Sequence, residues 1–344
     1  MPHSALIAMS GGVDSTVAAL LTIRDGYICV GAVMKLHPKA ADSEAGARTV
    51  AEKLGIPLIV CDLTESFATH VINRFINEYR DGRTPNPCVD CNKHLKFGKL
   101  AEKARELGKD YIVTGHYARI EHNSNGRYLL KKSANPLKDQ SYVLYSLTQD
   151  QLARTRLPLG GMSKTQVREL AHDAGLENAD KRESQDICFI PDGDYVKFIT
   201  EYTGVLPRKG RFIDPDGNYL GEHNGVINYT VGQRRGMGLA MPYPAYVLEV
   251  RPDDDTVIVG RDSMLYTKTL CAKGINFIPF DKLETPLRAL VKIRYKHNEQ
   301  PATVYQTGED TLRIEFDEPQ RAITKGQAAV IYDGDTVIGG GTII

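Results

Sequence analysis

Short apolar runs alternate with amphipathic segments along residues 1–203 of the chain. The apolar runs predict strands at 5–9, 29–34, 58–61 and 111–114. The amphipathic segments predict helices from residue 16, at 43–54 before Gly55, and from about 95 to 107 before Gly108. Because strands and helices alternate, we expect right-handed crossovers and an α/β fold, a parallel sheet with helices on both faces.

The pattern changes near residue 204, where glycine, proline and short β-branched runs become frequent. Strand patterns recur at 290–295, 302–306, 311–316, 328–332 and 336–339, with turn residues between them. Such spacing predicts a small barrel or sandwich. We therefore expect an α/β domain over 1–203, mostly helical from about 140 to 203, then a small β-rich domain over 204–272 and a C-terminal β-barrel over 273–344.

Two adjacent glycines separate the first predicted strand from its helix, in the segment Ser10-Gly11-Gly12-Val13-Asp14-Ser15. A strand that turns through glycines into a helix presents backbone N–H groups and the positive end of the helix dipole to an anion. The segment has neither the Gly-Lys-Ser/Thr ending of a Walker A loop nor the Rossmann spacing. It resembles the pyrophosphate loop (PP-loop) of enzymes that split ATP between the α and β phosphates. The alternative is an ordinary strand–turn–helix without a ligand.

Two further residues follow predicted parallel strands. Met34 ends the second strand, and Gly115 follows the fourth. Because parallel strands of an open sheet end at one edge, where ligands collect, we expect both residues to lie near the same nucleotide as the glycine-containing loop.

Six cysteines divide into two groups. Cys29, Cys61 and Cys271 lie in apolar, strand-like runs and are predicted to be small buried hydrophobic residues. Cys88 and Cys91 form a C-x-x-C after two prolines, and the position of Cys91 near a predicted helix start, with Lys93 and Lys96 nearby, predicts a lowered thiol pKa. A zinc half-site is an alternative, but no second ligand pair is apparent in the sequence. A thioredoxin-like redox pair is another.

The remaining cysteine, Cys188, lies between Ile187 and Phe189. Its apolar neighbours fit a core position as well as a catalytic one. Five lysines accompany the helix predicted after Cys91, at positions 93, 96, 99, 103 and 109. They can contact nucleic-acid phosphates or simply form a solvated helix face.

Composition limits the class of protein. Charged residues make up 25% and hydrophobic residues 42% of the chain, as in globular domains. We expect a cytoplasmic protein without a membrane segment, because no apolar run is long enough to span a bilayer and no signal-peptide pattern occurs. The 43 basic residues equal the 43 acidic ones, so a nucleic acid would have to be held by local patches.

Six motifs follow one another along the chain: MSGGVDS at 9–15, TPNP at 84–87 with CNK at 91–93, TGHYAR at 114–119, KDQSY at 138–142, SQDICF at 184–189 and YTVGQRRG at 229–236. In this order they resemble the tRNA-specific 2-thiouridylases (MnmA/TrmU), a family of the PP-loop ATP pyrophosphatase superfamily. The resemblance covers essentially the whole chain. It implies a transferase that converts the wobble uridine (U34) of tRNA to 2-thiouridine, by adenylating the C2 oxygen and then transferring sulfur.

The resemblance also implies roles for individual residues. Cys91 is the expected nucleophile and Cys188 the expected persulfide carrier, joined transiently in a Cys91–Cys188 disulfide. ATP, with Mg²⁺ on its triphosphate, is expected to bind Ala8, Met9, Ser10, Gly11, Gly12, Val13, Asp14, Ser15, Met34 and Gly115, and no resident metal is expected. The expected tRNA contacts are Asn86, Pro87, Cys88, His116, Lys138, Asp139, Gln140, Arg294, Tyr295 and Gln327. The expected partners are the anticodon stem-loop of a tRNA, whose bases can be unstacked and read individually, and a sulfur donor protein.

Two other functions stay open at this point. The first is another PP-loop adenylating ligase that uses no RNA and does not need Cys91 or Cys188. The second is a non-catalytic protein that binds tRNA in an ATP-dependent manner. The role of Cys88 is also open, because some members of the family carry aspartate there; it can be a spare thiol, a pocket wall or half of a resting disulfide.

Overall fold

The computed structural model describes residues 2–37, 41–176 and 187–344 of the chain. Its strands are β1 Ser4–Ala8, β2 Ile28–Lys35, β3 Leu58–Asp62, β4 Tyr111–Val113, β5 Ala118–His122, β6 Tyr128–Lys132, β7 Thr155–Arg156, β8 Gly210–Ile213, β9 Tyr219–His223, β10 Ala245–Arg251, β11 Thr256–Arg261, β12 Tyr266–Phe277, β13 Leu287–Lys292, β14 Gln300–Gly308, β15 Thr311–Arg321, β16 Ala328–Asp333 and β17 Thr336–Ile343. Its α-helices are α1 Val13–Arg24, α2 Ala41–Leu54, α3 Thr64–Phe67, α4 Asn73–Arg80, α5 Pro87–Asp90, α6 Leu100–Glu106, α7 Gln149–Ala153, α8 Lys164–Asp173 and α9 Tyr195–Thr203. Two π-helical segments, Ala68–Ile72 and Cys91–Lys99, continue α3 into α4 and α5 into α6.

A five-stranded parallel sheet with the order β3-β2-β1-β4-β7 forms the centre of the N-terminal half. Its two faces bury different residues of β1. Ile7 packs with α1, α2 and α8 on one face, whereas Leu6 packs with Leu100 and Ala104 of α6 on the other. The predicted parallel sheet with helices on both faces is therefore confirmed.

Six antiparallel strands, β12 to β17, close into a barrel because β12 pairs with both β15 and β17. The predicted C-terminal barrel is confirmed. Its first strand includes residue 273, where the sequence analysis places the start of the third region. The proposed limits of the three regions stay a prediction.

The prediction that Cys271 is buried is wrong. Along β12, Leu270 and Ala272 are buried in the barrel, and Cys271 between them is exposed. Side chains alternate across a strand, so position 271 necessarily faces away from its two neighbours. Cys29 and Cys61 are buried, as predicted.

The hairpin β5–β6 joins the barrel to the central sheet. It leaves the central sheet after β4 and pairs with β17, with Val337 opposite Leu130. The buried cluster around Leu6 also includes Val330 and Tyr332 of the barrel. The two parts therefore share one core, and barrel residues are held in place next to the parallel sheet.

A third, four-stranded sheet with the order β10-β11-β8-β9 packs against the α3–α4 run. Phe212 and Val247 of this sheet join Phe75 and Tyr79 of α4 in one buried cluster. This packing fixes the α3–α4 run, which in turn contacts the helical run 87–106. No helix of the described ranges is long and apolar enough to span a membrane.

Candidate active site

The loop after β1 turns directly into α1. Gly12 is the N-cap of α1 in extended conformation, with no side-chain cap, and Gly11 adopts a positive φ of 71°. The Ser15 hydroxyl accepts a hydrogen bond from the Ser10 N–H at 3.2 Å and donates to the Gly12 carbonyl at 3.0 Å. The two serines therefore brace the loop, and the uncapped N–H groups of α1 suit an anion.

Two glycines allow other backbone segments to approach this loop closely. A Cβ on Gly11 would lie 3.1 Å from the carbonyl carbon of Gly46 in α2. A Cβ on Gly115 would lie 2.7 Å from the carbonyl carbon of Asp14 and 2.8 Å from the Ser15 nitrogen. Gly115 was predicted as a nucleotide contact, and the structure adds a packing reason for glycine there: only glycine lets the end of β4 touch the start of α1.

The Asp14 carboxylate is held by Tyr117, which belongs to the third motif, and by Lys164, which lies outside all six motifs. One oxygen accepts both the Tyr117 hydroxyl and the Lys164 ammonium, each at 2.7 Å. Lys164 is the first residue of α8, after the Ser163 N-cap, and its side chain is only 12% exposed. The Ser-x-x-Gln capping box at 163–166 is the local signal that could have located it. A cation is therefore fixed beside the candidate phosphate loop.

The helix that carries Cys91 begins at Pro87, earlier than predicted. Asn86 is its N-cap, and its side-chain oxygen accepts the Cys88 N–H at 3.1 Å. The helical run then continues through the π-helical segment 91–99 to residue 106. The predicted start near residue 95 is wrong because Asn-Pro is itself an N-cap signal, with proline favoured at the first helical position.

The prediction that the Cys91 pKa is lowered is also wrong. The pKa of Cys91 is raised to about 11, chiefly by burial and in smaller part by the charges of Cys188, Cys88 and Asp90, while Lys96 opposes the rise. Cys91 lies inside the helical run and partly buried, so removal from water outweighs the helix terminus. Cys88 and Cys188 lie at the surface as free thiols, and desolvation still raises the pKa of both.

The Cys188 charge raises the pKa of Cys91, and the Cys88 charge raises the pKa of both Cys91 and Cys188. Ile187, Cys188 and Phe189 of the fifth motif are described, whereas its residues 184–186 lie outside the described ranges. Phe189 packs edge-on against Phe67 and Phe75. This contact anchors the Cys188 segment to the α3–α4 run. Within the described ranges, no cluster of three His, Cys, Asp or Glu residues could hold a metal ion.

His116 connects the loop edge of the sheet to the cysteine helix. Lys96 Nζ lies 3.4 Å from His116 Nε2, and Thr114 Oγ1 lies 2.8 Å from His116 Nδ1. Because an ammonium can only donate, Nε2 accepts, and the ring proton lies on Nδ1 and is donated to Thr114. Burial and Lys96 hold the pKa of His116 well below its usual value, so the ring is neutral.

Asp90, next to Cys91 in the chain, is a buried acid. Its carboxylate lies 3.2 Å from the Arg74 guanidinium. Burial nevertheless raises the pKa of Asp90 to about 6. Asp90 is therefore partly protonated near neutral pH, which is a property that a proton donor or acceptor needs.

Several predicted tRNA contacts are hydrogen-bonded within the protein. Asp139 accepts the Ser133 N–H at 2.9 Å and the Ser141 hydroxyl at 2.7 Å, and Gln140 accepts the Tyr117 N–H at 3.0 Å. These bonds fix the loop that carries Lys138. Contacts of Lys138, Asp139 and Gln140 with tRNA stay a prediction.

The predicted tRNA contacts on the barrel reach back to the same region. Gln327 donates its amide to the Thr84 carbonyl at 2.7 Å, and the Tyr295 hydroxyl donates to the Asp139 carbonyl at 3.3 Å. Arg294 donates to the Arg321 carbonyl at 3.2 Å. The barrel thus braces the two loops that carry Asn86 and Asp139.

Comparisons with known proteins agree with this arrangement. Three family models match the chain: "tRNA methyl transferase HUP domain" over 3–192, "tRNA methyl transferase PRC-barrel domain" over 196–261 and "Aminomethyltransferase beta-barrel domain" over 267–343. The tRNA-specific 2-thiouridylase MnmA of Clostridioides difficile (strain 630) is 48% identical over 355 residues, which cover 100% of this chain and 98% of that protein. That of Acetivibrio thermocellus is 47% identical over 352 residues, covering 98% of each. The similarity extends over the full length of these relatives.

Proposed function

The chain belongs to the tRNA-specific 2-thiouridylase family, and from this premise we propose that it catalyses the ATP-dependent 2-thiolation of U34 in tRNA. One arrangement carries the proposal. The candidate phosphate loop packs against Gly115, the next residue His116 lies 3.4 Å from Lys96, and the Lys96 charge acts on both Cys91 and Cys188. Such proximity suits a reaction that first activates an oxygen atom and then replaces it with sulfur.

The first step is adenylation of the base. The uracil C2 oxygen attacks the α-phosphorus of ATP, the bond to the β-phosphate breaks, and pyrophosphate leaves. In the proposed step, the N–H groups at the start of α1 and the Lys164 ammonium, which is fixed beside the loop by Asp14, stabilise the charge on the phosphates. A Mg²⁺ ion carried by the triphosphate would neutralise further phosphate charge, and the partly exposed Asp14 carboxylate provides the oxygen ligand that this ion prefers.

The second step transfers sulfur. The terminal sulfur of a Cys188 persulfide bonds to C2, the C2–O2 bond breaks, and O2 leaves as part of AMP. The Cys91 thiolate then attacks the Cys188 sulfur, and the electron pair of the broken S–S bond stays on the sulfur at C2 as the thiocarbonyl. If Cys91 attacks first, the released hydrosulfide attacks C2. Both orders end in a Cys91–Cys188 disulfide, which two electrons from an external thiol reduce.

The substrate and the partners follow from this chemistry. The target base has to leave the anticodon stack to reach the thiols, which the unpaired bases of an RNA loop allow at little cost. Asn86, His116 and Lys138 are proposed to line the pocket, and Arg294, Tyr295 and Gln327 to contact the tRNA. A sulfur donor protein has to reload Cys188. Because each turnover leaves a disulfide to be reduced, the reaction suits the reducing cytoplasm.

The decisive assay combines the protein, ATP, a persulfide donor and unmodified tRNA, followed by nucleoside analysis. We expect 2-thiouridine together with stoichiometric AMP and pyrophosphate. A PP-loop ligase without RNA substrate would release pyrophosphate independently of tRNA. A binding protein would retain tRNA on ATP addition and release no pyrophosphate. Either result would refute the proposal.

Replacing Lys164 by methionine is expected to weaken ATP use. A charge-assisted hydrogen bond to a phosphate is worth about 1.5–3 kcal/mol, so the KM for ATP should rise about 10- to 100-fold. The measurement is tRNA-dependent pyrophosphate release against ATP concentration. Arg168→Met, an exposed cation on the same helix, is the matched control and should leave KM unchanged. An unchanged KM in Lys164→Met would exclude the lysine from phosphate binding.

Cys88 is expected to be dispensable for the sulfur relay. If Cys188 is the obligatory partner of Cys91, Cys88→Ala should keep most of the activity, and Cys88→Asp should be tolerated because some members of the family carry aspartate there. Peptide mapping after one turnover without reductant should find Cys91 joined to Cys188. A Cys88–Cys91 disulfide, together with an inactive Cys88→Ala variant, would overturn the assigned roles.

A further inference from the structure

The charge of one residue, Lys96, acts on all three thiols of the site. The Lys96 ammonium lowers the pKa of Cys88, Cys91 and Cys188 alike, against the desolvation that raises all three, and backbone hydrogen bonds lower the pKa of Cys188 as well. Cys88 and Cys188 raise the pKa of Cys91, and Cys88 raises the pKa of Cys188, so two sulfur anions in this site repel. Only one anionic sulfur at a time is therefore well compensated there.

The π-helical segment Cys91–Lys99 carries both Cys91 and Lys96, and its geometry relates the two positions. In an α-helix of 3.6 residues per turn, a residue five positions along lies about 140° around the axis. Within 91–99 the hydrogen bonds span five residues, as in the Leu100 N–H to Leu95 carbonyl bond at its end. This wider turn brings position 96 round to the side of the helix that carries position 91. Gly98 permits it, because a Cβ there would lie 3.1 Å from the Lys93 carbonyl oxygen.

Lys96 differs from the other lysines of the helical run 87–106. Lys99 pairs with Glu102 at 2.9 Å and Lys103 pairs with Glu106 at 2.8 Å, so these residues form a solvated helix face. Lys96 is partly buried and contacts His116 instead. The His116 ring is neutral, so it orients the ammonium without cancelling its charge.

We propose that Lys96 is the positioning residue of the sulfur relay, whose ammonium compensates the anionic sulfur as it passes from Cys188 to Cys91. This proposal rests on the proposed thiolation function and adds a residue to it. The persulfide, the thiolate of Cys91 and the sulfur leaving Cys188 each carry one negative charge in turn. Among the described residues, the other groups that act on these thiols are Asp90, which opposes the thiolate, and the thiols themselves.

Alkylation of the reduced protein tests the proposal without ATP or tRNA. Iodoacetamide labelling at several pH values, quantified by peptide mass for each cysteine, reports how readily each thiol forms a thiolate. Exposed Cys271 in the same sample serves as the rate standard. Since the pKa of Cys91 is about 11, its labelling rate should rise about tenfold per pH unit below that value.

In Lys96→Met, labelling of Cys91 at pH 8 should fall about tenfold relative to Cys271, because an adjacent opposite charge shifts a pKa by about one unit or more. Lys96→Arg should restore the rate to within about threefold of the wild type, since it keeps the charge. Lys93→Met is the matched control for labelling: it removes an exposed lysine of the same segment that acts on Asp90 and His94, and it should leave the Cys91 rate unchanged.

Single-turnover thiolation provides the second measurement. The rise of its rate with pH should move to higher pH by about one unit in Lys96→Met and return towards wild type in Lys96→Arg. Equal Cys91 labelling rates in Lys96→Met and Lys93→Met would overturn the role of Lys96. A Lys96→Arg variant that does not restore the Cys91 labelling rate would overturn it as well. A wild-type protein that makes no 2-thiouridine would instead refute the proposed function. Thermal unfolding of Lys96→Met and Lys96→Gln checks that the fold is intact in at least one of these two variants with an uncharged side chain.

Discussion

Replacing either Cys91 or Cys188 by serine is expected to lower the 2-thiouridine yield to background, more than about a thousandfold below wild type. Serine supplies no persulfide at position 188, and at position 91 its hydroxyl cannot attack a sulfur atom to form a disulfide. The proposed transfer needs a sulfur atom at both positions, so the loss of either one stops it. The measurement is nucleoside analysis of tRNA after a single turnover.

The adenylation step provides the internal control of this experiment. Both serine variants should still release pyrophosphate in the presence of tRNA, because the phosphate loop and Lys164 are unchanged. Cys271→Ser, at an exposed barrel position, should behave as wild type in both assays. Near-normal 2-thiouridine from Cys91→Ser or Cys188→Ser would remove the two-thiol relay altogether.

Adding a single methyl group at Gly115 is expected to abolish adenylation while most of the fold persists. The Cβ of Gly115→Ala would come within 2.9 Å of three backbone atoms of Asp14 and Ser15, so the loop and the end of β4 have to separate. Such overpacking costs about 1–3 kcal/mol of stability. Misplacement of binding groups by about 1 Å can cost about a hundredfold in rate, so pyrophosphate release should fall by that factor or more.

Gly161→Ala is the matched control, because a Cβ at position 161 meets nothing within 4 Å. It should leave pyrophosphate release unchanged. Gly11→Val, which adds a bulky side chain at a φ of 71° and against the backbone of α2, should resemble Gly115→Ala. Normal ATP kinetics in Gly115→Ala and Gly11→Val would mean that this loop does not hold the triphosphate.

Much of the fold follows from local pattern. The central strands are buried on both faces and appear in the sequence as continuous apolar runs, and the helices between them end at Gly55 and Gly108 as their sequence signals predict. The start of the helix that carries Cys91 could likewise have been predicted from Asn86-Pro87. The missed helix start and the buried position assigned to Cys271 are errors of interpretation, because capping and strand alternation are local rules.

Part of the candidate site could also be predicted from the sequence, and part of it could not. The phosphate loop could be recognised because its glycines, its serines and the start of α1 are neighbours in the chain. The partners of its carboxylate could not, because Tyr117 and Lys164 lie 103 and 150 residues away from Asp14. No periodicity in the sequence relates positions that meet only after the sheet has formed.

The thiols show most clearly what the sequence by itself determined and what only the tertiary structure decided. The sequence determined that Cys91 follows a rigid Asn-Pro start and has lysines nearby, which alone predicts a lowered pKa. The tertiary structure surrounds that sulfur with protein and with two other thiols, and the pKa rises to about 11 instead. The physical reason is that desolvation depends on everything packed around an atom, whereas sequence neighbours supply only a few of the surrounding charges. Among the described residues, Lys96 is the cation whose charge opposes this rise, and it lies on the same π-helical segment as Cys91.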